Sequence, residues 1–223
     1  MDSFNNSVFI SLNGINTKVL ILGGGKSALI KAKTLLYNGF MVHCISKEFT
    51  DEFKVLDGAY ANLELLDKPF TNELLEDYHL IVICTNDDKF NENIRNICNS
   101  KNRIFIDTTL PENSKAVLCA TGRSKNIALG LRVKGKNPKA SIFLCNKGKE
   151  YFESFDNYIE FITHIRNNVT TLNNKNEILN FICSEDFLFF FNHGYHIEIL
   201  KLFYSDLLNK QGIDLNYTMN GGV

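Results

Sequence analysis

The chain has 223 residues, 44% of them hydrophobic, and a net charge of −1. That is enough for one domain or two small ones with a real core, and it gives no bulk electrostatic pull toward nucleic acid or an anionic membrane. No apolar run approaches the ~20 residues of a membrane span, and the start, Met1-Asp2-Ser3-Phe4-Asn5-Asn6, lacks the basic and apolar regions of a secretory signal.

A cytoplasmic protein without nucleic-acid or membrane partners is therefore expected. The cysteines stand at Cys44, Cys84, Cys98, Cys119, Cys145 and Cys183. None form a C-x-x-C pair, so a zinc ribbon or thioredoxin-type site is not expected. Histidine spacing gives no ligand set. His193 and His196 fall three apart on an expected helix, where a surface or core role outweighs metal binding.

After a short apolar lead-in at 9–11, residues 18–22 (Lys-Val-Leu-Ile-Leu) read as a strand buried on both faces. Gly23-Gly24-Gly25 follows, and then Ala28, Leu29, Ala32, Leu35 and Leu36 recur at helical spacing. Gly39 is placed to end that helix, and 41–45 form a second strand. Strand, turn, helix and strand within about 30 residues make one βαβ unit.

The stretch 50–76 is mixed, with a short strand near 62–66 and a helix start at 71–75. Residues 80–84 (Leu-Ile-Val-Ile-Cys) are the clearest strand. A helix over 90–98 and a strand over 103–107 complete an alternation that argues for a parallel sheet covered on both faces.

The pattern changes after Pro111. Residues 116–121 and 127–133 read as two strands with no room for a crossover helix, hence an antiparallel pair. Asn137-Pro138 opens a helix, with Asn as N-cap and Pro at its first position. From Tyr151 the reading is helical. Phe155, Tyr158, Ile159, Ile162, Ile165 and Val169 form one apolar stripe, a break is expected within 167–176, and 220–223 read as a frayed tail.

Gly23-x-Gly25-x-x-Ala28 has the form of a dinucleotide fingerprint, set between a strand and an amphipathic helix as that motif requires. The first Gly permits the turn, the second leaves room for pyrophosphate, and the small third residue lets helix pack on strand. The helix N-terminus supplies unpaired N–H groups. The N-terminal domain is accordingly expected to be of Rossmann type.

The acid that commonly closes the second strand is missing, replaced by Ser46-Lys47-Glu48. Lys47 leaves room for a 2′-phosphate, and Glu48 is near enough to bind a ribose diol but equally readable as a solvated loop residue. Thr85 and Asn86 follow the strongest strand and are candidates to touch the dinucleotide, while Asp87 and Asp88 are placed to cap the next helix. Candidate dinucleotide contacts are thus Gly23, Gly24, Gly25, Lys26, Ser27, Ser46, Lys47, Glu48, Thr85 and Asn86.

Several stretches taken together resemble the precorrin-2 dehydrogenase (siroheme synthase N-terminal) family. They are residues 18–25, Ala28, Lys31-Ala32, residues 45–50, and Ile83-Cys84-Thr85-Asn86-Asp87 with Asn91. The order of the strands after Pro111, the turn at 134–138 and the helical tail follows the same family, so nearly the whole chain is covered.

The resemblance implies an α/β fold: a Rossmann-type parallel sheet (1–112), an antiparallel dimerisation segment with a linker helix (113–150) and a helical C-terminal domain (151–223). It implies oxidation of precorrin-2 to sirohydrochlorin with NAD as hydride acceptor, insertion of ferrous iron in some members, and a homodimer.

The family often reads Asn-Val-Val-Asp-x-Pro after the last Rossmann strand. Here the order is Ile106-Asp107-Thr108-Thr109-Leu110-Pro111, so the acid comes two residues earlier relative to the proline. Asp107 is the first candidate for the catalytic carboxylate and Glu112 the second. A carboxylate at a strand end can take the proton that accompanies hydride removal, and a turn-capping role for Asp107 is as well supported.

The family turn close to Ser-x-Gly-Gly-x-Ser-Pro appears here with Lys134 for the first Gly and Asn137 for the last Ser. Arg132, Lys134, Lys136 and Lys139 crowd this loop and the helix start behind it, where Arg132, Lys134, Lys136 and Asn137 are candidates for the substrate's carboxylates. A solvated basic loop is the competing reading. A Rossmann NAD(H)-binding regulatory module without turnover is the alternative function.

Overall fold

Alternating hydrophobic strands and amphipathic helices fold as their periods dictate in the computed structural model, which describes residues 6–135 and 137–211, the last six of these by backbone alone. The chain divides into two compact units, Met1–Leu118 and Cys119–Val223. The expected boundaries were 112 and 150. The observed division keeps the antiparallel strands and the helix that follows them with the C-terminal helices.

In the first unit five strands form one parallel sheet: β1 (Lys18–Leu22), β2 (Met41–Ile45), β3 (Leu63–Leu66), β4 (Leu80–Ile83) and β5 (Ile104–Asp107), in the order β3-β2-β1-β4-β5. Alternate side chains of β1 enter two different cores. Val19 and Ile21 pack with Ala28, Ala32, Leu35 and Leu36 of α1 (Lys26–Tyr37) and with Phe53 and Leu56 of α2 (Asp51–Ala59). Leu20 and Leu22 face the other way, onto Ile81, Ile83 and Leu75 and onto Ile94 and Cys98 of α3 (Asp88–Ser100). Burial on both faces is why the strand reads as an unbroken hydrophobic run rather than an alternation.

Helix α1 ends as its sequence predicts. Gly39 takes φ +79, its N–H donates to Leu36 O and that of Phe40 to Leu35 O, the paired bonds of a Schellman cap. Two elements of the first unit differ from the sequence reading. Helix α2 was hidden in the mixed stretch 50–76. The expected helix start at 71–75 is a 3-10 turn, Asn72–Asp77.

In the second unit β6 (Ala120–Arg123) and β7 (Ala128–Leu131) pair antiparallel. The first of these strands lies later than the expected 116–121. Ser124 N donates to Ile127 O (2.9 Å), closing a tight turn on Lys125-Asn126 and pulling Gly122 and Arg123 into the ladder. Helix α4 (Pro138–Glu153) packs on this pair and is capped by Asn137, whose Oδ1 accepts from Ala140 N (3.0 Å).

Helices α5 (Asp156–Asn168), α6 (Lys175–Ile182), α7 (Glu185–Asn192) and α8 (His196–Gln211) close around Phe161, Ile165, Ile178, Ile182, Phe187 and Leu200, all fully buried. The expected break falls between α5 and α6. His193 and His196 do not share a helix: Gly194 at φ +78 turns the chain between α7 and α8, which removes the helical spacing on which a metal reading rested. Residues 220–223 lie outside the described residues.

Candidate functional site

In an open parallel sheet, ligands gather where the strand order reverses, beyond the carboxyl ends of the strands. Here that point lies between β1 and β4. The chain leaving β1 is Gly23-Gly24-Gly25, and the chain leaving β4 is Cys84-Thr85-Asn86.

The three glycines answer three different constraints. Gly23 adopts φ +126, and a Cβ on it would stand 2.7 Å from Cys84 O. Gly24 lies against the loop after β2, where a Cβ would stand 2.1 Å from Glu48 O; Thr50 N also donates to Gly24 O (3.1 Å). Gly25 is different. A Cβ there would meet nothing within 4 Å, so no protein atom accounts for the glycine.

Gly25 is also the N-cap of α1, with no side-chain cap and no acidic residue in the first turn. The open space and the first N–H groups of the helix fit a pyrophosphate: the missing side chain leaves the approach clear, and the helix end offers donors and a partial positive charge. Ala28, fully buried, lets α1 seat against the sheet. Lys26 and Ser27 are exposed at the first turn.

The loop after β2 brings no carboxylate inward at its first position. Ser46 Oγ donates to Glu48 O (2.6 Å) and accepts from Glu48 N (3.4 Å), so its hydroxyl is spent on its own turn. Lys47 and Glu48 are both exposed. Thr85 is turned toward the protein: its Oγ1 donates to Asn91 Oδ1 (2.5 Å), and Asn91 Nδ2 returns a bond to Thr85 O (2.9 Å). Asn86 is exposed. Asp87 caps α3 through Phe90 N (3.0 Å).

Asp107 ends β5 with 1% of its surface exposed. Its Oδ1 accepts from Thr109 N (2.8 Å), Thr109 Oγ1 (2.6 Å) and Leu110 N (3.0 Å). Its Oδ2 accepts from Arg95 Nη1 at 2.6 Å, the Arg95 side chain itself being 12% exposed. Burial alone would raise its pKa. The bonds from Thr109 Oγ1, Leu110 N, Arg95 and Thr109 N outweigh that and hold the carboxyl below its usual value. An ordinary proton acceptor needs an accessible oxygen and a pKa near the working pH; Asp107 has neither.

Its next neighbour reaches the glycine cradle instead. Thr108 Oγ1 donates to Ile83 O (3.0 Å) and accepts from Ser27 Oγ (3.2 Å). Glu112, the second acid, is exposed on the turn Pro111–Asn113.

In the second unit Arg132 is half-buried after β7, and Lys134, Lys139 and Asn137 are exposed around the start of α4. Lys136 lies outside the described residues. No group of three or more His, Cys, Asp or Glu suited to a metal occurs among the described residues, and none of their helices is long and apolar enough to cross a membrane.

Sequence reasoning passed over Arg95 and gave no role to Asn91, named only as part of the family resemblance, or to Thr108. A signal for the first two was present: positions 91, 94, 95 and 98 share one face of α3, and two polar residues among Ile94 and Cys98 mark buried hydrogen-bonding work.

A family model described as "Putative NAD(P)-binding" matches residues 8–120, the unit that carries this cradle. The chain belongs to this NAD(P)-binding family. Across 167 residues it is 27% identical to the "Putative precorrin-2 dehydrogenase" of Methanocaldococcus jannaschii, covering 71% of this chain and 78% of that protein.

A shorter match, 34% identical over 86 residues, is to the siroheme synthase of Psychromonas ingrahamii, covering 39% of this chain and 18% of that much longer protein. Among solved structures, that of SirC, a precorrin-2 dehydrogenase, superposes with a TM-score of 0.61 at 18% identity, over 92% of this chain and 99% of the other; the two share a fold. Membership of the NAD(P)-binding family agrees with the clear approach at Gly25.

Proposed function

We propose that the protein is an NAD-dependent precorrin-2 dehydrogenase, forming sirohydrochlorin on the route to siroheme. The observation that carries this reading is the open helix-N-terminal cradle at Gly25, in a chain whose match to a precorrin-2 dehydrogenase extends over most of both proteins. NAD, when bound, supplies the hydride acceptor.

The chain's own residues do the rest. The N–H groups at the start of α1 hold the pyrophosphate, and Ser27 and Lys26 stand at its edge. Removal of a hydride from a ring carbon must be matched by loss of a proton. Glu112, an exposed carboxylate two positions past Leu110, is the acceptor this reading favours over the sealed Asp107.

The substrate's carboxylates are assigned to Arg132, Lys134, Lys136 and Asn137. Three cations and a helix N-terminus in one short stretch match a polyanionic tetrapyrrole. A homodimer is part of the proposal, supported by Ile142, Phe143 and Leu144 on α4, which are 54%, 61% and 44% exposed, a cluster of apolar side chains suited to a second copy. Six free cysteines fit a reducing cytoplasm. Ferrous iron is the proposed second substrate, for chelation by the product.

The deciding experiment is an anaerobic assay of the purified chain with precorrin-2 and NAD, following sirohydrochlorin by absorbance and then adding ferrous iron. NAD-dependent conversion is expected. NAD binding by calorimetry with no conversion would replace the enzyme with an NAD(H)-responsive regulatory module, a reading favoured by the sealed state of Asp107.

A further inference from the structure

We infer that Asp107 and Arg95 are positioning residues: a buried ion pair that fixes the turn after β5 so that Thr108 holds Ser27 at the mouth of the dinucleotide cradle. The inference concerns how the nucleotide is held, and rests on membership of the NAD(P)-binding family rather than on the precorrin-2 reaction.

The chain of contacts is continuous within the first unit. Arg95 projects from α3 and anchors Asp107 Oδ2 at 2.6 Å. The other oxygen, Oδ1, gathers two backbone N–H groups and one hydroxyl from Thr109 and Leu110, which fixes the chain direction immediately after β5. On the backbone side, Asp107 N donates to Ser114 Oγ (2.7 Å), and that hydroxyl donates back to Asp107 O (3.2 Å).

Thr108, held between these anchors, donates its own N–H and hydroxyl to Ile83 O, each at 3.0 Å. Its hydroxyl has one strong donor direction, and that is taken. Its oxygen is therefore an acceptor for Ser27 Oγ at 3.2 Å. Ser27 is the second residue of α1, next but one to Gly25, where nothing in the protein fills the space. An exposed serine at that position has several rotamers. The bond to Thr108 takes the Ser27 proton and selects one rotamer, tying the first turn of α1 to the turn after β5, so that the backbone N–H groups at the helix start, and not the Ser27 lone pairs, are held in place for a phosphate.

A carboxylate saturated with donors and paired with a nearly buried guanidinium is suited to this work and unsuited to proton transfer. Breaking such a pair by removing one partner leaves a charge buried without compensation, so the turn must shift. The effect reaches the cradle through Thr108, without Asp107 touching substrate or cofactor.

The test is the affinity for NAD by calorimetry, alongside thermal unfolding, for Asp107→Asn, Arg95→Gln, the double variant, Thr108→Val and Ser27→Ala. Asn keeps an acceptor oxygen for Thr109 N and Leu110 N, and Gln can hydrogen-bond it neutrally. The double variant is thus expected to recover part of what each single change loses. Each single variant is expected to weaken NAD binding roughly three- to tenfold, the range for losing one net hydrogen bond. Where Asp107→Asn does not fold, Ser27→Ala and Thr108→Val carry the same test at half-buried or exposed positions.

Wild-type NAD affinity in Ser27→Ala and Thr108→Val would overturn the inference. So would an Asp107→Asn protein that binds NAD normally but has lost turnover together with one ionisation of its kcat profile; that result would make Asp107 the proton acceptor. Failure of the wild type to oxidise precorrin-2, with the affinities shifting as expected, would remove the proposed reaction and leave the positioning role standing.

Discussion

Gly24 lies so close beneath the Glu48 carbonyl that a Cβ at position 24 would stand 2.1 Å from that oxygen, whereas the adjoining Gly25 would meet nothing within 4 Å. Adjacent glycines in one motif therefore serve different ends, one structural and one for the ligand. Gly24→Ala must displace the loop after β2 and is expected to cost about 1–3 kcal/mol of stability, as overpacking does. Gly25 has φ −90 and ψ −173, a conformation any residue accepts. Gly25→Ala should unfold at the wild-type temperature yet lose most of its NAD affinity. Melting curves and calorimetry on the two variants measure both effects, and a stable Gly24→Ala or an NAD-competent Gly25→Ala contradicts this division of labour.

The βαβ alternation, the glycine cradle and the cap at Asn137 were legible because each is written locally, as a period, a turn residue or a capping residue. Helix α2 was not. Its apolar face consists of Phe53 and Leu56, too short a stripe to register against the charged residues around it. The first strand of the antiparallel pair was displaced because the turn is closed by Ser124 and Ile127, a pairing that hydrophobicity does not reveal. The role of Asp107 depends on Arg95, twelve residues away on another element, and no local pattern announces such a partner. The acid was singled out by its resemblance to the family stretch after the last strand; its engagement by four hydrogen bonds is a tertiary fact.

Arg95 and Asp107 also bear on stability. The pair has 12% and 0% side-chain exposure, so removing the cation strands a buried carboxylate. Arg95→Leu is expected to lower the unfolding free energy by about 3–5 kcal/mol. Because the folded Asp107 carboxyl has a lowered pKa, its contribution is fully present above the ordinary carboxylate range and is lost as pH falls through the folded value. Denaturant midpoints from pH 6 down to pH 3 should fall for the wild type. They should fall less steeply for Asp107→Asn, which starts lower. Parallel slopes would mean that the carboxylate is not coupled to folding.

A second pH window belongs to histidines. Burial lowers the pKa of His43, against the opposing pull of Glu64 and with Lys18 and Lys68 adding to the decrease. Its Nδ1 pairs with Tyr78 OH at 2.8 Å. Burial likewise lowers His196, against the nearby Glu198; its ring packs between Phe161 and Phe191, at centroid distances of 4.8 and 4.7 Å, and its Nδ1 is buried without a partner. Both bind protons more weakly folded than unfolded. Their contribution is therefore complete above pH 6.5 and declines as pH falls through the folded values. Melting temperatures at pH 7.5, 6.5 and 5.5 should drop across this series. His196→Phe should flatten the drop while removing an unpaired polar atom, and an unchanged slope in that variant would mean that His196 charges freely in the fold.

Thiol chemistry gives an independent check on the packing of both units. Cys44, Cys84, Cys98 and Cys145 are buried, Cys119 is half-buried and Cys183 is exposed. Burial pushes the Cys98 thiol up to about 11 and raises Cys44, Cys84, Cys119 and Cys145 as well. The thiolate is the reacting species, so burial suppresses reaction twice, by access and by ionisation. Titration of the native protein with a disulfide reagent at pH 8 should show one fast thiol, abolished by Cys183→Ser, then a slower one from Cys119. The other four should react only at the rate of unfolding. NAD should slow any residual reaction of Cys84, whose Sγ lies 3.9 Å from Ser27 Oγ at the edge of the cradle. Rapid reaction of Cys84 in the native protein, unaffected by NAD, would contradict the seating of α1 against β4 on which the dinucleotide site depends.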